Sequence, residues 1–375
     1  MTSPATTRNT PVSAGLEALS EAATGLLQRL IATPSFSGEE GGTAALLEAF
    51  FQSQAIPTQR HLHNVWALNR HFSPEKPSVL LCSHHDTVRP NPGYSRDPFV
   101  PDIAAGKLFG LGSNDAGGCL VCLAAAFTAM YERADLPFNL VFAGVAEEEN
   151  SGPNGLESLL PLLPPLACGI IGEPTKLDLA VAEKGLLVLD CVAQGRAGHA
   201  AREEGENALY AALDDIDWFR NYRFEQTSEW LGPVKMTVTV IDTPNRAHNV
   251  VPDTCRFVVD VRLTNAYTPE AVLETIRRHV RCQVTPRSTR LRATAIPAGH
   301  PLVQAGLRLG KAVYGSPTTS DKALLPAPAV KVGPGDSARS HTADEFIYVD
   351  EIRAGVAFYI HLLEEFAAAP GENDR

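Results

Sequence analysis

The sequence predicts an α/β protein: a larger three-layer αβα domain with a mixed central sheet, interrupted by an inserted βαββαβ domain of ferredoxin-like order. Three observations predict it. Short, nearly continuous apolar runs alternate with helical patterns in the first half. Near residue 185 the pattern changes to alternating strands and helices, and after 297 it returns to helix. A chain of 375 residues has room for two domains. The expected boundaries are 1–184 and 297–375 for the first domain and 185–296 for the insertion.

Residues 16–31 carry Leu16, Leu19, Leu26, Leu27, Leu30 and Ile31 at helical spacing. Ser37-Gly38-Glu39-Glu40 has the form of a capping box ahead of a helix with Leu46, Leu47, Phe50 and Phe51 on its apolar face. The runs at 79–82, 140–142 and 169–171 suit central strands covered on both faces, and the Ala-rich stretch 116–131 suits a helix between two of them. The insertion is expected to run strand 186–192, helix 207–222, strand 234–241, strand 254–263, helix 269–280 and strand 290–296. Thr268-Pro269 marks the second helix start. Helices at about 302–313 and 350–366 complete the chain.

Composition narrows the function. A formal net charge of −11 argues against nucleic acid, whose binding begins with basic patches. No apolar run approaches the ~20 residues that span a bilayer, so no membrane association is expected. The start lacks a secretory layout, and seven cysteines without one suggest reduced thiols and a cytoplasmic location. Cys119-x-x-Cys122 falls on the apolar helix with no second pair, as expected of core packing.

The polar residues that follow the apolar strands carry the chemistry, because ligands in open α/β sheets gather beyond the carboxyl ends of strands. They are Ser83-His84-His85-Asp86, Asn114-Asp115 in FGLGSNDAGG, Glu147-Glu148-Glu149, Gly172-Glu173-Pro174, and His341 within GPGDSARSHTADEF. Two imidazoles and several carboxylates at strand ends are what a divalent metal such as Zn²⁺ prefers.

In combination these motifs resemble the two-zinc aminoacylase, carboxypeptidase and acetylornithine deacetylase family of metallohydrolases, from about residue 15 to 366. SHHDTV, GLGSNDAG, AEEENSG and GPGD look most like acetylornithine (acylcitrulline) deacetylase-type enzymes. The resemblance implies a catalytic domain with an inserted lid and two metal ions, Zn most naturally and Co or Mn also suitable. Asp115 would bridge the ions, His84 and Glu173 would complete one site, and Glu149 and His341 the other. Asp86 would orient His84 through its free ring N–H. The Asp115-Ala116 peptide would be cis. Glu148 would be the general base: it takes a proton from water held between the cations, the hydroxide attacks the amide carbonyl, and the leaving amine receives the proton. The triplet could also be read one residue early; the family's usual Asp-Glu-Glu favours Glu148 and Glu149.

In the lid, His199 of Gly195-Arg196-Ala197-Gly198-His199 would help hold the oxyanion, in some members at the neighbouring subunit's site, so a homodimer is implied. Asn249 and Arg262 match substrate-holding positions, and a guanidinium fork suits an α-carboxylate. Leu111 and Gly117 depart from the family at positions that often hold Arg and Lys. The implied reaction removes an acetyl or succinyl group from an amino acid such as ornithine or citrulline. A dipeptidase or metallocarboxypeptidase of the same fold is the alternative, and an inactive binding relative a third reading. Lys322, if near the pocket, would favour neutral citrulline or pair with a succinyl carboxylate.

Overall fold

The computed structural model describes residues 11–369, with side chains from 15 onward, and divides into two compact units. The first contains the chain up to Val181, Ile296–Tyr314 and the chain from Leu325; the second contains Ala182–Ala295 and Gly315–Leu324.

The sheet of the first unit runs in the order Gln59–His61, Asn64–Leu68, Asn139–Val145, Ser78–His84, Leu166–Ile171, Ala329–Lys331 and Leu179–Glu183. Ser78–His84 is parallel to both its neighbours, and Ala329–Lys331 is parallel to Leu166–Ile171. Asn64–Leu68 and Leu179–Glu183 pair antiparallel, so the sheet is mixed, as the fold class requires. Every residue of Ser78–His84 and Asn139–Val145 is buried. Burial on both faces explains why these strands read as continuous apolar runs without alternation.

Helix Gly118–Met130, almost wholly buried, packs against Ser78–His84 and Asn139–Val145 and against helices Pro11–Ile31 and Val349–Ala367. Its Cys119 and Cys122 are buried thiols, each donating to a backbone carbonyl, Pro334 O and Ile352 O, as core packing implies. Phe142 sits at the centre of the apolar layer with ring centroids 4.8 Å from Phe51 and 5.9 Å from Phe127. Phe142→Ala should therefore cost about 3–5 kcal/mol by transfer and cavity terms. Denaturant unfolding of the purified variant measures this, and a loss under about 1 kcal/mol would contradict the packing described.

Three local expectations change. Helix Gly41–Ser53 has Glu40 as its N-cap residue but no side-chain cap bond, and Ser37 and Glu40 bond elsewhere. The helix expected over 302–313 is shorter, Pro301–Arg308. It ends where Gly310 takes a left-handed φ of +74°, and a strand, Val313–Ser316, follows. The last strand of the insertion is Gln283–Pro286, because Val284 there points into the core of the second unit, whereas Thr294–Ala295 pairs with Ala182 and Glu183.

The second unit forms an antiparallel sheet ordered Lys235–Asp242, Thr254–Leu263, Gly185–Gln194, Gln283–Pro286. Its helices, Ala208–Asn221 and Pro269–His279, are started by the side chains of Asn207 and Thr268, which accept from Leu209 N and Ala271 N. Gly185–Gln194 alternates buried and half-buried residues along its length, and its inward set, Leu187, Leu189, Cys191 and Ala193, makes the core with Phe257 and Val259. This is the inserted βαββαβ domain. Among the described residues no helix is long and apolar enough to cross a membrane.

Candidate metal centre

The parallel strands end together. His84 is the last residue of its strand and lies opposite Val145, while Cys82 lies opposite Ile171. Two to four residues further on, the neighbouring strands give Glu147–Glu149 and Glu173. Asp115 enters from the turn Ser113–Gly117, and His341 from the loop beyond Ala329–Lys331.

Six of these seven side chains converge, all but Glu147. His84 Nε2 lies 3.4 Å from Asp115 Oδ1, 3.8 Å from Glu173 Oε1 and 4.0 Å from Glu148 Oε2. His341 Nε2 lies 2.9 Å from Glu149 Oε2 and 3.7 Å from Asp115 Oδ2. Asp115 thus turns one oxygen to each imidazole. Two triads, His84–Glu148–Glu173 and His84–Asp115–Glu149, each offer ligand atoms within 4.8 Å of one another.

The donor set fits divalent cations. His84 is 1% exposed, and its Nε2 is a buried nitrogen without a hydrogen-bond partner. Its Nδ1 lies 3.0 Å from the backbone carbonyl of Asp86. A carbonyl only accepts, so Nδ1 carries a proton, and Nε2 is the ring nitrogen left facing the carboxylates. The surrounding charge is unbalanced. Burial, followed by the charge of Asp115, pushes Glu173 up to about 8. Burial pulls the His84 pKa down, yet Asp115 and Asp86 hold it well above its ordinary value. The hydrogen bond to Glu149 lifts His341 to about 9. Carboxylates that raise one another's pKa, and that of the histidines between them, draw in either protons or metal cations.

Backbone anchors set the geometry, and here one expectation is refined. The Asp86 carboxylate stands 3.3 Å from His84 Nδ1, farther than its own carbonyl oxygen. Its oxygens mainly receive the amides of Glu148 and Glu149, each at 3.1 Å. Sequence reasoning missed a second anchor, Glu345. This carboxylate, 2% exposed, accepts from Asn114 N at 2.8 Å, Asp115 N at 2.9 Å and Gly112 N at 3.3 Å. Burial and then Asp115 raise its pKa to about 8. The visible signal was its place in His341-Thr342-Ala343-Asp344-Glu345. The peptide joining Asp115 to Ala116 is cis. Glu147 turns away from the cluster: its carboxylate accepts from Asn154 N and Nδ2 at 3.0 and 2.9 Å. His85 also points elsewhere, to Thr43 Oγ1 and the carbonyl of His63.

The remaining candidates belong to the second unit. His199 and Asn249 are brought together: Gly198–His199 pairs with Val250–Val251, and the Asn249 carbonyl accepts from Ala200 N at 2.9 Å. His199 is exposed, and its Nδ1 accepts from Ala201 N. Arg262 lies apart from them at the end of Thr254–Leu263, where Asp260 takes its Nε and Nη2 at 2.8 and 3.0 Å. Lys322 is buried in the short turn Asp321–Leu324.

Comparison with known proteins agrees with this architecture. The chain is 24% identical to succinyl-diaminopimelate desuccinylase 2 of Ruegeria sp. (strain TM1040), over 92% of this chain and 94% of that protein. It is 25% identical to succinyl-diaminopimelate desuccinylase of Rhizorhabdus wittichii, over 92% and 98%. Among solved structures it resembles a tripeptidase from Staphylococcus aureus, with a TM-score of 0.75 at 17% identity, covering 93% of this chain and 99% of that one. It also resembles the M20 family metallo-carboxypeptidase Sso-CP2 from Sulfolobus solfataricus, with a TM-score of 0.71 at 16% identity over 95% and 99%. Residues 80–365, well over half of the chain, match peptidase family M20/M25/M40, and the chain belongs to that family of metal-dependent hydrolases.

Proposed function

We propose that this enzyme removes an N-acyl group, acetyl or succinyl, from an amino acid at a centre for two divalent cations. The observation that carries the reading is the division of Asp115, one oxygen toward His84 and the other toward His341. Asp115 would bridge the two cations, His84 and Glu173 would complete one site, and Glu149 and His341 the other. Zn²⁺ suits this mixture of imidazole and carboxylate, and Co²⁺ or Mn²⁺ would also fit. Bound there, such a pair polarises the amide carbonyl and acidifies water. Glu148, beside His84, takes the water proton and delivers it to the departing amine. Asp86 keeps Glu148 in place through the backbone. His199 would hold the carbonyl oxygen as it becomes negative, from its own or a partner subunit, with Asn249 beside it. Arg262 would meet the substrate carboxylate in exchange for, or together with, Asp260.

The names of the curated relatives bring the succinyl group forward and add diaminopimelate to ornithine and citrulline as candidate amino acids. A peptidase reading is kept by the solved structures, whose likeness is one of fold. A panel of N-acetyl and N-succinyl amino acids and dipeptides, run with and without chelator, decides between them. Turnover of an acylated amino acid that chelator abolishes supports the proposal. Hydrolysis of dipeptides alone would replace it.

We further propose a cytoplasmic homodimer through the inserted domain. Its edge strand Lys235–Asp242 leaves Val240 and Ile241 about half exposed, an edge suited to pairing with a second copy. Light scattering is expected to give twice the chain mass; a monomer at assay concentration would remove the dimer.

A further inference from the structure

The segment Ser37-Gly38-Glu39-Glu40 forms no capping box; Ser37 and Glu40 instead support the acidic loop, Ser37 through Asp86 and Glu40 directly. Ser37 Oγ donates to Asp86 Oδ2 at 2.6 Å, the oxygen that also receives Glu149 N. Glu40 is 0% exposed. Its Oε1 accepts from Gly38 N at 2.6 Å and from Glu147 N at 3.1 Å, and its Oε2 lies 2.7 Å from Nδ1 of His63. Three consecutive amides, those of Glu147, Glu148 and Glu149, are therefore each held by a buried carboxylate far away in sequence.

Glu147 needs such a hold. Its φ of +56° lies in the left-handed region, unfavourable for a residue with a side chain. Ser151 N and Gly152 N bond the carbonyls of Glu148 and Glu147 and close the far side of the turn. The entry, the Glu147 amide, is left to Glu40. If that bond is lost, the peptide can relax toward negative φ and carry the next side chain, Glu148, with it.

We propose that Glu40, oriented by His63, is a positioning residue that fixes the entry of the acidic loop and so the place of Glu148. The proposal rests on the reading of Glu148 as the base.

Two measurements test it: steady-state kinetics of the metal-loaded enzyme, and amide hydrogen exchange of the metal-free protein. Glu40→Leu is expected to lower kcat roughly 10–100-fold with KM within about threefold, the size usual for a group that orients a metal-site residue. Amides in 145–152 should exchange faster, while those in 110–117, held by Glu345, keep the wild-type rate. Glu40→Gln keeps an acceptor oxygen for Gly38 and Glu147 and should restore kcat to within about fivefold of wild type. If the Leu variant does not fold, Glu40→Asp withdraws the acceptor by one methylene and should give the same pattern. Wild-type kcat and loop exchange in the variant that folds overturn the proposal. So does exchange that rises equally across the whole unit. A wild-type enzyme indifferent to chelator and to Glu148→Gln would defeat the reading of the base, while the exchange result would still report on the Glu40 anchor.

Discussion

Glu148→Gln is expected to lower kcat by roughly 10²–10⁴-fold, the usual contribution of a positioned general base, with KM nearly unchanged. Of the three adjacent glutamates, Glu147 is turned to Asn154 and Glu149 is bonded to His341. Glu148 reaches the cluster beside His84, with its amide fixed by Asp86. Glutamine keeps the size of the side chain but does not take a proton, so folding and metal content should match wild type. Steady-state kinetics with elemental analysis of the same sample checks this. Wild-type turnover in Glu148→Gln together with loss in Glu147→Gln would move the base by one residue.

Asp115→Ala should be at least as damaging in kcat/KM, by more than about 100-fold, since even groups that merely orient ligands cost about 10–100-fold. Both imidazoles face this one carboxylate, and Glu345 holds its amide. In the proposed bridging role its negative charge would lie between two cations that otherwise repel each other, so bound metal should fall along with activity when it is removed. An Asp115→Ala protein that retains its full metal content and turnover would show that the carboxylate does not bridge.

Much of this was legible in the sequence, for physical reasons that also mark where legibility stops. Fully buried strands leave an apolar signature, and the polar residues at their ends stand out against it, so His84, Glu149, Glu173 and the Asp115 turn could be picked out locally. The strand Thr254–Leu263 and the Thr268 cap were equally plain, because alternation and caps depend on near neighbours. The anchors were not. Glu40 meets an amide 107 residues away and Glu345 one 230 away, and nothing in either local pattern states which backbone groups tertiary folding will bring to them. Ser37 and Glu40 were hidden further by having the spacing of a capping box, a local explanation that the fold overrides. The Asp260 partner of Arg262, two residues along the same strand and on the same face, was open to inference from strand periodicity.

Anomalous scattering from crystals of the metal-loaded enzyme tests the central claim most directly. Two peaks about 3.5–4 Å apart are expected, one against His84 and Glu173, the other against Glu149 and His341, with Asp115 touching both. A single ion, or ions bound away from these side chains in an active sample, would contradict it.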